Sequence, residues 1–149
     1  MQDPATTICA LLQDQWTLTE NDNMTGVISF RQGEPSNADT RFTPHKISIE
    51  CKHISSGAKP RNQLRTVFYE IVGIDIWVRI ADQTETGKNS ALTLKRQIID
   101  ECRRIIKANQ STATDIDYMS FAGDNPLDKP SGQPPYFRVI LNIVCQYNV

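Results

Sequence analysis

The feature that most constrains the fold is a change of hydrophobic period between two neighbouring segments. In residues 72–80 an apolar residue occupies every second position, which predicts a β-strand with one buried face. In residues 90–109 the apolar residues recur every three to four positions, which predicts a long helix with a buried stripe. A strand followed by a long amphipathic helix requires a sheet with a helix packed on it. The apolar residues concerned are Val72, Ile74, Ile76, Val78, Ile80, Ala91, Leu94, Ile98, Cys102 and Ile105.

Further segments extend this two-layer arrangement. Asp3 and Pro4 provide an N-cap and a first-turn proline for a short helix that ends near Trp16. The alternation of apolar and polar residues predicts strands at residues 27–31, 46–53, 64–80, 115–121 and 136–147. We therefore predict one α+β domain over residues 1–149, with the order α-β-β-β-α-β-β. It consists of a mostly antiparallel sheet on which an N-terminal helix and one long helix pack. The sheet residues predicted to face the helices are Ile47, Ile49, Val72, Ile74, Ile76, Val78, Leu141 and Ile143.

Two connections are long and rich in turn-forming residues. Residues 54–63 are polar and basic, and we predict an irregular loop that joins antiparallel strands. Residues 122–135 contain four prolines and two glycines, a density that bars regular structure and favours a stiff projecting loop. Loops of this length in small domains are usually functional or disordered.

Charge and cysteine usage exclude several classes of protein. The formal net charge of -1 provides no global field for DNA or an anionic membrane. The chain has no apolar run of membrane-spanning length and no apolar leader at Met1, so we expect synthesis and retention in the host cytoplasm.

The cysteines are widely spaced, without the paired spacing of a zinc site. Each occupies one of the apolar positions in the hydrophobic pattern of its segment. We expect reduced core thiols at Cys9, Cys51, Cys102 and Cys145.

The sharpest catalytic pattern is Glu50-Cys51-Lys52 near the end of a strand, with Asp39 upstream. Metal-dependent nucleases use two carboxylates to hold Mg²⁺ and a lysine to orient the attacking water. The same pattern is common on the outward face of any half-exposed strand, and we expect Glu50 and Lys52 to be surface residues without a bound metal. His45 and His53 lie at opposite ends of this strand, so we expect two surface histidines.

Charged residues of opposite sign cluster in different parts of the chain. Around residues 54–63 the basic side chains are Lys52, Lys59, Arg61 and Arg65, with His53 beside them. The acidic side chains Asp115, Asp117, Asp124 and Asp128 lie in the second half of the chain. The chain is not basic overall, so the basic cluster is better interpreted as a surface for an acidic neighbour than for nucleic acid. The acidic residues of another copy of the chain could supply that neighbour.

Three stretches together carry a resemblance to a known family. Residues 42–51 form a strand entered through a Phe-x-Pro turn, residues 72–80 lead into the helix at 90–109, and residues 136–149 form a closing apolar strand with a tyrosine near its end. This pattern resembles the tail terminator, or tail completion, proteins of long-tailed phages and related archaeal viruses. The resemblance implies a ring, commonly of six subunits, that caps the tail tube and meets the neck or connector protein. It implies a place in the virion tail or neck, assembly in the host cytoplasm, and no catalysis. From the residues themselves we expect no cofactor and no metal site.

Three hypotheses remain from the sequence. The first is a non-enzymatic ring-forming protein at the head–tail junction, where DNA at most passes through the lumen; other neck and head–tail joining proteins share this pattern. The second is a metal-dependent nuclease using Asp39, Glu50 and Lys52, and the third is a small host-encoded binding module. For the ring we predict that residues 54–63 and 122–135 line subunit or tail-tube contacts. The interface residues predicted there are Lys59, Arg61, Arg65, Asp124 and Asp128.

Overall fold

The computed structural model describes residues 3–18, 28–32, 47–62, 65–80, 84–132 and 134–147. These residues form α1 (Pro4–Gln15), β1 (Ile28–Gln32), β2 (Ile47–Asn62), β3 (Arg65–Arg79), α2 (Glu85–Ala108), β4 (Tyr118–Pro126) and β5 (Tyr136–Tyr147). The order α-β-β-β-α-β-β confirms the predicted α+β class.

The strands form one five-stranded sheet in the order β1-β2-β3-β5-β4. The short strand β1 is parallel to β2 and pairs only with its first residues, Ile47 to Cys51. The pairs β2–β3, β3–β5 and β5–β4 are antiparallel, so the sheet is mostly antiparallel as predicted. The central strands β3 and β5 pair over most of their length, from Phe68 opposite Tyr147 to Arg79 opposite Tyr136.

Both helices pack on the same face of the sheet and form one hydrophobic core with it. Ile8 and Leu12 of α1, and Ile98 and Ile105 of α2, are fully buried against the strands. The eight sheet residues predicted to face the helices all lie in this core, which confirms their assignment. Period-two patterning identified this face because successive side chains of a strand point to opposite faces of the sheet, and here the apolar series lies on the face that the helices cover.

The long helix begins earlier than residue 90. Thr84 is its N-cap, and its side-chain oxygen accepts a hydrogen bond from the Gly87 N–H at 3.1 Å. Glu85 lies in the first turn, where a negative charge is stabilised by the helix dipole. The predicted boundary was wrong because the first turn is polar and carries no periodic apolar residue, whereas the cap alone fixes the start.

A polar clasp connects the end of α1 to α2. The Thr17 N–H and hydroxyl both donate to the Glu101 carboxylate at 3.0 Å, and Arg104 donates to the same carboxylate at 2.6 Å. Arg104 also donates to the Gln15 carbonyl oxygen at 2.9 Å. Burial raises the pKa of Glu101, but these hydrogen bonds outweigh burial, so the net pKa is lowered from its usual value.

Two predicted loops are wrong in the same way. Residues 54–62 belong to β2 and pair with β3, with register shifts between His53 and Ser55 and between Pro60 and Asn62. Residues 122–126 belong to β4, and Lys129 pairs with Tyr136 beyond its end. Ladder hydrogen bonds from a neighbouring strand therefore override the local preference of Ser, Gly and Pro for turns, and bulges absorb the mismatched residues.

Candidate assembly surface

The sheet face opposite the helices carries a buried charged cluster. Asp75 lies across β2–β3 from Glu50, and both side chains are 0% exposed. Arg138 of β5 donates two hydrogen bonds to the Asp75 carboxylate, from Nε at 2.9 Å and from Nη2 at 2.8 Å. Lys52 donates a third at 3.2 Å and is itself only 11% exposed. The expectation that Glu50 and Lys52 lie on the surface is therefore wrong.

Aromatic side chains complete the charged cluster. The Arg138 guanidinium lies over the Trp77 ring, 4.1 Å from its centroid, and the rings of Trp77 and Tyr136 are 4.7 Å apart. Burial lowers the pKa of Arg138, but the hydrogen bonds and charge of Asp75 outweigh it, so the net pKa is raised. The guanidinium is therefore held charged and oriented by a carboxylate on one side and an aromatic face on the other.

The cluster brings a second carboxylate beside the Glu-x-Lys pattern, as nuclease chemistry would need. However, the Asp75 carboxylate already accepts hydrogen bonds from two cations, and neither Asp75 nor Glu50 has exposed surface. A metal ion would have to displace Arg138 or Lys52 and gain access to a closed site. Asp39, the third residue of the nuclease hypothesis, lies outside the described residues, as does His45. In the described ranges, no group of three or more His, Cys, Asp or Glu side chains is arranged to hold a metal ion.

The cysteines are all buried and free, as expected for core thiols. Cys9 on α1 accepts a hydrogen bond from the Cys51 thiol, which lowers the pKa of Cys9 to about 7 against the opposing effect of burial. The same hydrogen bond and burial raise the pKa of Cys51. Burial also raises the pKa of Cys145 to about 12. The pair Cys9–Cys51 joins α1 to β2 inside the hydrophobic core.

The predicted basic interface residues fall on a two-stranded ribbon. Residues 59–62 of β2 pair with residues 65–67 of β3, and within the described residues they pair with no other strand. We call residues 59–62 and 65–67 the ribbon; its backbone positions place Lys59, Arg61 and Arg65 within it. Three residues at about 3.3 Å each carry the ribbon about 10 Å beyond the last β3–β5 pair of the described residues.

Aromatic contacts fix the base of the ribbon. Phe68 stacks on Tyr147 of β5 with ring centroids 6.0 Å apart, at the last β3–β5 pair. Tyr69 lies over Gly57 of the neighbouring strand, where a Cβ atom would approach the tyrosine Cζ to 2.5 Å. Gly57 thus leaves room for the ring to cover the backbone of β2, a cross-strand arrangement that pins register.

The predicted acidic interface residues have partners within the chain. The Asp128 carboxylate accepts hydrogen bonds from the Lys95 ammonium at 3.0 Å and from the backbone N–H of Arg138 at 2.8 Å. Asp124 forms an ion pair with Arg103 of α2. These contacts fold residues 122–132 against the rest of the domain, so they are not the projecting loop predicted from sequence. Whether these aspartates also contact another copy remains a prediction.

Apolar side chains are exposed near both edges of the sheet. Ile54 of β2 is 44% exposed, and on the β4 side Tyr118 and Phe121 are 43% and 40% exposed. Ile54 lies over Gly73, whose Cβ position would be 2.9 Å from the isoleucine Cδ1 atom. Tyr118 and Phe121 both belong to β4, so the exposed apolar area on that side lies along one strand.

Sequence reasoning missed Asp75, Arg138 and Trp77. The sequence did contain a sign of them, because these three residues occupy the non-core positions of strands whose other face is fully apolar. Strand alternation cannot distinguish a solvated face from one closed by an ion-pair cluster, since both show polar residues at every second position. His53, in contrast, is half exposed as expected and lies 2.5 Å from Glu70 through Nδ1.

Comparison of the chain with models of protein families and with curated protein sequences gave no match. No helix in the described part of the chain is long and apolar enough to cross a membrane.

Proposed function

We propose that this chain is a non-enzymatic structural protein of a tailed virus. Copies assemble as a ring at the head–tail junction, cap the tail tube and join it to the neck or connector protein. DNA at most passes through the lumen. The proposal combines the resemblance in sequence pattern with an α+β fold that has the element order expected from it.

The observation that carries the proposal is the ribbon. It extends about 10 Å beyond the last β3–β5 pair of the described residues, is held in shape by backbone pairing between β2 and β3, and contains Lys59, Arg61 and Arg65. A preformed ribbon loses little conformational entropy when it binds, which favours its use as a contact between subunits. In a ring one surface of each copy must fit a different surface of the next, and the ribbon offers one such surface.

A metal-dependent nuclease is the alternative, and the closeness of Glu50, Lys52 and Asp75 is the observation that favours it. The ring is preferred because two cations already bind the Asp75 carboxylate. A DNA cleavage assay with Mg²⁺ and with Mn²⁺ separates the two functions. We expect supercoiled and linear DNA to stay intact; cleavage by the wild-type protein that is lost in Glu50→Gln would support the nuclease.

Electron microscopy tests the proposal directly. We expect negatively stained particles of the purified protein to be rings of one size with a central lumen. Added to assembled tail tubes that lack a terminal cap, the protein should bind at one end of each tube. Compact particles without a lumen, or binding along the sides of the tubes, would contradict the proposed position.

A further inference from the structure

Two cysteines meet in the layer between α1 and the sheet. The buried stripe of α1 includes Ala5, Ile8, Cys9 and Leu12, whose spacing places Cys9 on the side of the helix that packs on the strands. Cys51 occupies a core-facing position of β2, and α1 packs more closely on β1 and β2 than on the other strands. The Cys51 thiol donates a hydrogen bond to the Cys9 sulfur, so the two sulfur atoms are neighbours.

The two remaining cysteines are placed less well to react with Cys51. Cys102 belongs to α2, which packs mainly on β3, β5 and β4. Its effect on Cys51 is electrostatic, whereas the hydrogen bond of the Cys51 thiol goes to Cys9. Cys145 belongs to β5, and β3 lies between β5 and β2. Strands two positions apart in a sheet are separated by about 9.5 Å, whereas a disulfide joins Cα atoms that are about 4.4–6.8 Å apart.

The two thiols of the pair differ in access and in reactivity. Cys9 is 8% exposed, whereas Cys51 is only 1% exposed. The hydrogen bond from Cys51 lowers the pKa of Cys9 to about 7, so much of Cys9 is thiolate at neutral pH, and the thiolate is the reactive form. The hydrogen bond to Cys9, burial and the charge of Cys9 raise the pKa of Cys51. A small oxidant therefore meets a nucleophile at Cys9 and a protonated thiol directly behind it.

We infer that Cys9 and Cys51 form a redox pair, which a hydroperoxide converts into a disulfide that fastens α1 to β2. Redox-active cysteines typically combine an accessible thiolate with a second thiol within reach, and this pair has both properties. The inference concerns covalent modification of the domain and does not depend on the proposed ring.

The chemistry needs one molecule of hydrogen peroxide for each disulfide. The Cys9 thiolate attacks a peroxide oxygen: the S–O bond forms, the O–O bond breaks, and the leaving hydroxide takes up a proton to become water. The Cys51 sulfur then attacks the sulfenic acid at Cys9, so that the S–S bond forms and the S–O bond breaks. The proton of Cys51 and the hydroxyl group of the sulfenic acid leave as a second water. This second step is favoured because oxidation removes the negative charge on Cys9 that raised the pKa of Cys51.

The disulfide would stabilise the domain only outside a reducing compartment. A reducing cytoplasm keeps such a pair as thiols, whereas an oxidising medium favours the cross-link. Closing the loop between residues 9 and 51 restricts the unfolded chain, which stabilises the folded one. The polar clasp already fastens the end of α1 to α2 through Thr17 and Arg104. The cross-link would fasten the middle of the same helix to the sheet.

Thiol counting after oxidation of the native protein tests the inference. The full chain is reduced, desalted, treated with a slight molar excess of hydrogen peroxide, and then unfolded in the presence of N-ethylmaleimide. We expect two maleimide labels on each chain, against four on the reduced protein. Tryptic digestion without reductant should join the peptide of residues 1–31, which contains Cys9, to the peptide of residues 47–52, which contains Cys51. Dithiothreitol should separate the two peptides again.

Alanine variants assign the roles of the two thiols. In Cys51→Ala the sulfenic acid at Cys9 has no thiol to react with, so dimedone, which traps sulfenic acids, should label Cys9. Cys9→Ala should keep all three of its thiols after the same treatment. Cys102→Ala and Cys145→Ala are the matched controls and should form the cross-link as the wild type does. Thermal melting establishes that each variant folds, and the wild-type peptide map tests the inference without any variant.

Several results would overturn the inference. They are four labels on the oxidised native protein, loss of one label without a cross-link, a cross-link that contains Cys102 or Cys145, and a cross-link that forms faster in urea-unfolded than in native protein. Oxidation should also raise the urea midpoint of the wild type by about 1 M or more. Equal midpoints for the reduced and the cross-linked protein would show that the bond does not fasten α1. Any of these failures would leave the proposed ring unaffected, because particle images of the reduced protein test it separately.

Discussion

Removal of Arg138 should destabilise the domain more than its partly exposed position suggests. The Asp75 carboxylate is fully buried and accepts two of its hydrogen bonds from this guanidinium. Arg138→Met preserves much of the apolar stem but leaves the Asp75 carboxylate with Lys52 as the cation still bound to it. Breaking a buried ion pair by removing one partner costs about 3–5 kcal/mol. Loss of the stack on Trp77 adds about 0.5–2 kcal/mol.

The expected loss is a large part of the total stability, since domains of this size unfold with about 5–15 kcal/mol. Urea unfolding followed by circular dichroism at neutral pH measures the change. Arg138→Lys should lower the free energy of unfolding less than Arg138→Met, because lysine retains the positive charge. It should still lower it, because lysine cannot form the two parallel hydrogen bonds of the guanidinium. The matched control is Arg79→Met on the same sheet, an exposed arginine whose loss should stay within about 0.5 kcal/mol.

A double-mutant cycle separates the ion pair from general packing. The double variant Asp75→Asn with Arg138→Met should lose clearly less free energy of unfolding than the sum of the losses in the two single variants. The expected coupling free energy is about 2 kcal/mol or more. If Arg138→Met costs less than about 1 kcal/mol, or if the two changes are additive, the charged cluster does not stabilise the fold as described.

Further predictions concern the clasp, the thiols and the ribbon. The pKa of Glu101 is lowered on folding, so its stabilising effect is complete above its usual value of 4.5 and lost as the pH falls through the folded-state value. Glu101→Gln should therefore abolish part of the acid dependence of the urea midpoint; an unchanged profile would contradict the clasp. Cys9 should be alkylated before the other cysteines when the native protein is treated with iodoacetamide, because its pKa is lowered to about 7 by Cys51. Mass spectrometry of partly labelled peptides checks the order, and preferential labelling of another thiol would refute it. Gly57→Val should weaken assembly by displacing the Tyr69 ring, and the same change in a Tyr69→Ala background should have a smaller effect. If Gly57→Val weakens assembly equally in both backgrounds, the Tyr69 side chain does not hold the ribbon in place.

The sequence-based prediction agrees with the structure in the segments where the pattern of side chains determines the backbone structure. Strand β5 was predicted with its observed bounds because its alternation is unbroken from Tyr136 to Tyr147. The buried stripe of α2 was predicted for the same reason. The fold class follows from these two elements and from the strands at residues 46–53 and 64–80, each of which has one apolar face.

The differences arise where a partner strand, rather than local sequence, determines the structure. The second half of β2 contains Ser55, Ser56, Gly57 and Pro60, which favour a turn, yet β3 pairs with it almost to the end. The charged cluster could not be predicted from the sequence for another reason. Its members come from three strands, and only the strand order β2-β3-β5 brings Glu50, Asp75 and Arg138 together. No local pattern encodes that order.

The mass of the wild-type assembly tests the central proposal most directly. Native mass spectrometry and sedimentation over a wide range of concentration would measure the number of 16.8 kDa subunits in each particle. A closed ring predicts one discrete stoichiometry, commonly six for the resembled family, that does not grow as concentration rises. A monomer at all concentrations, or a series of ever larger open assemblies, would contradict a ring-forming protein.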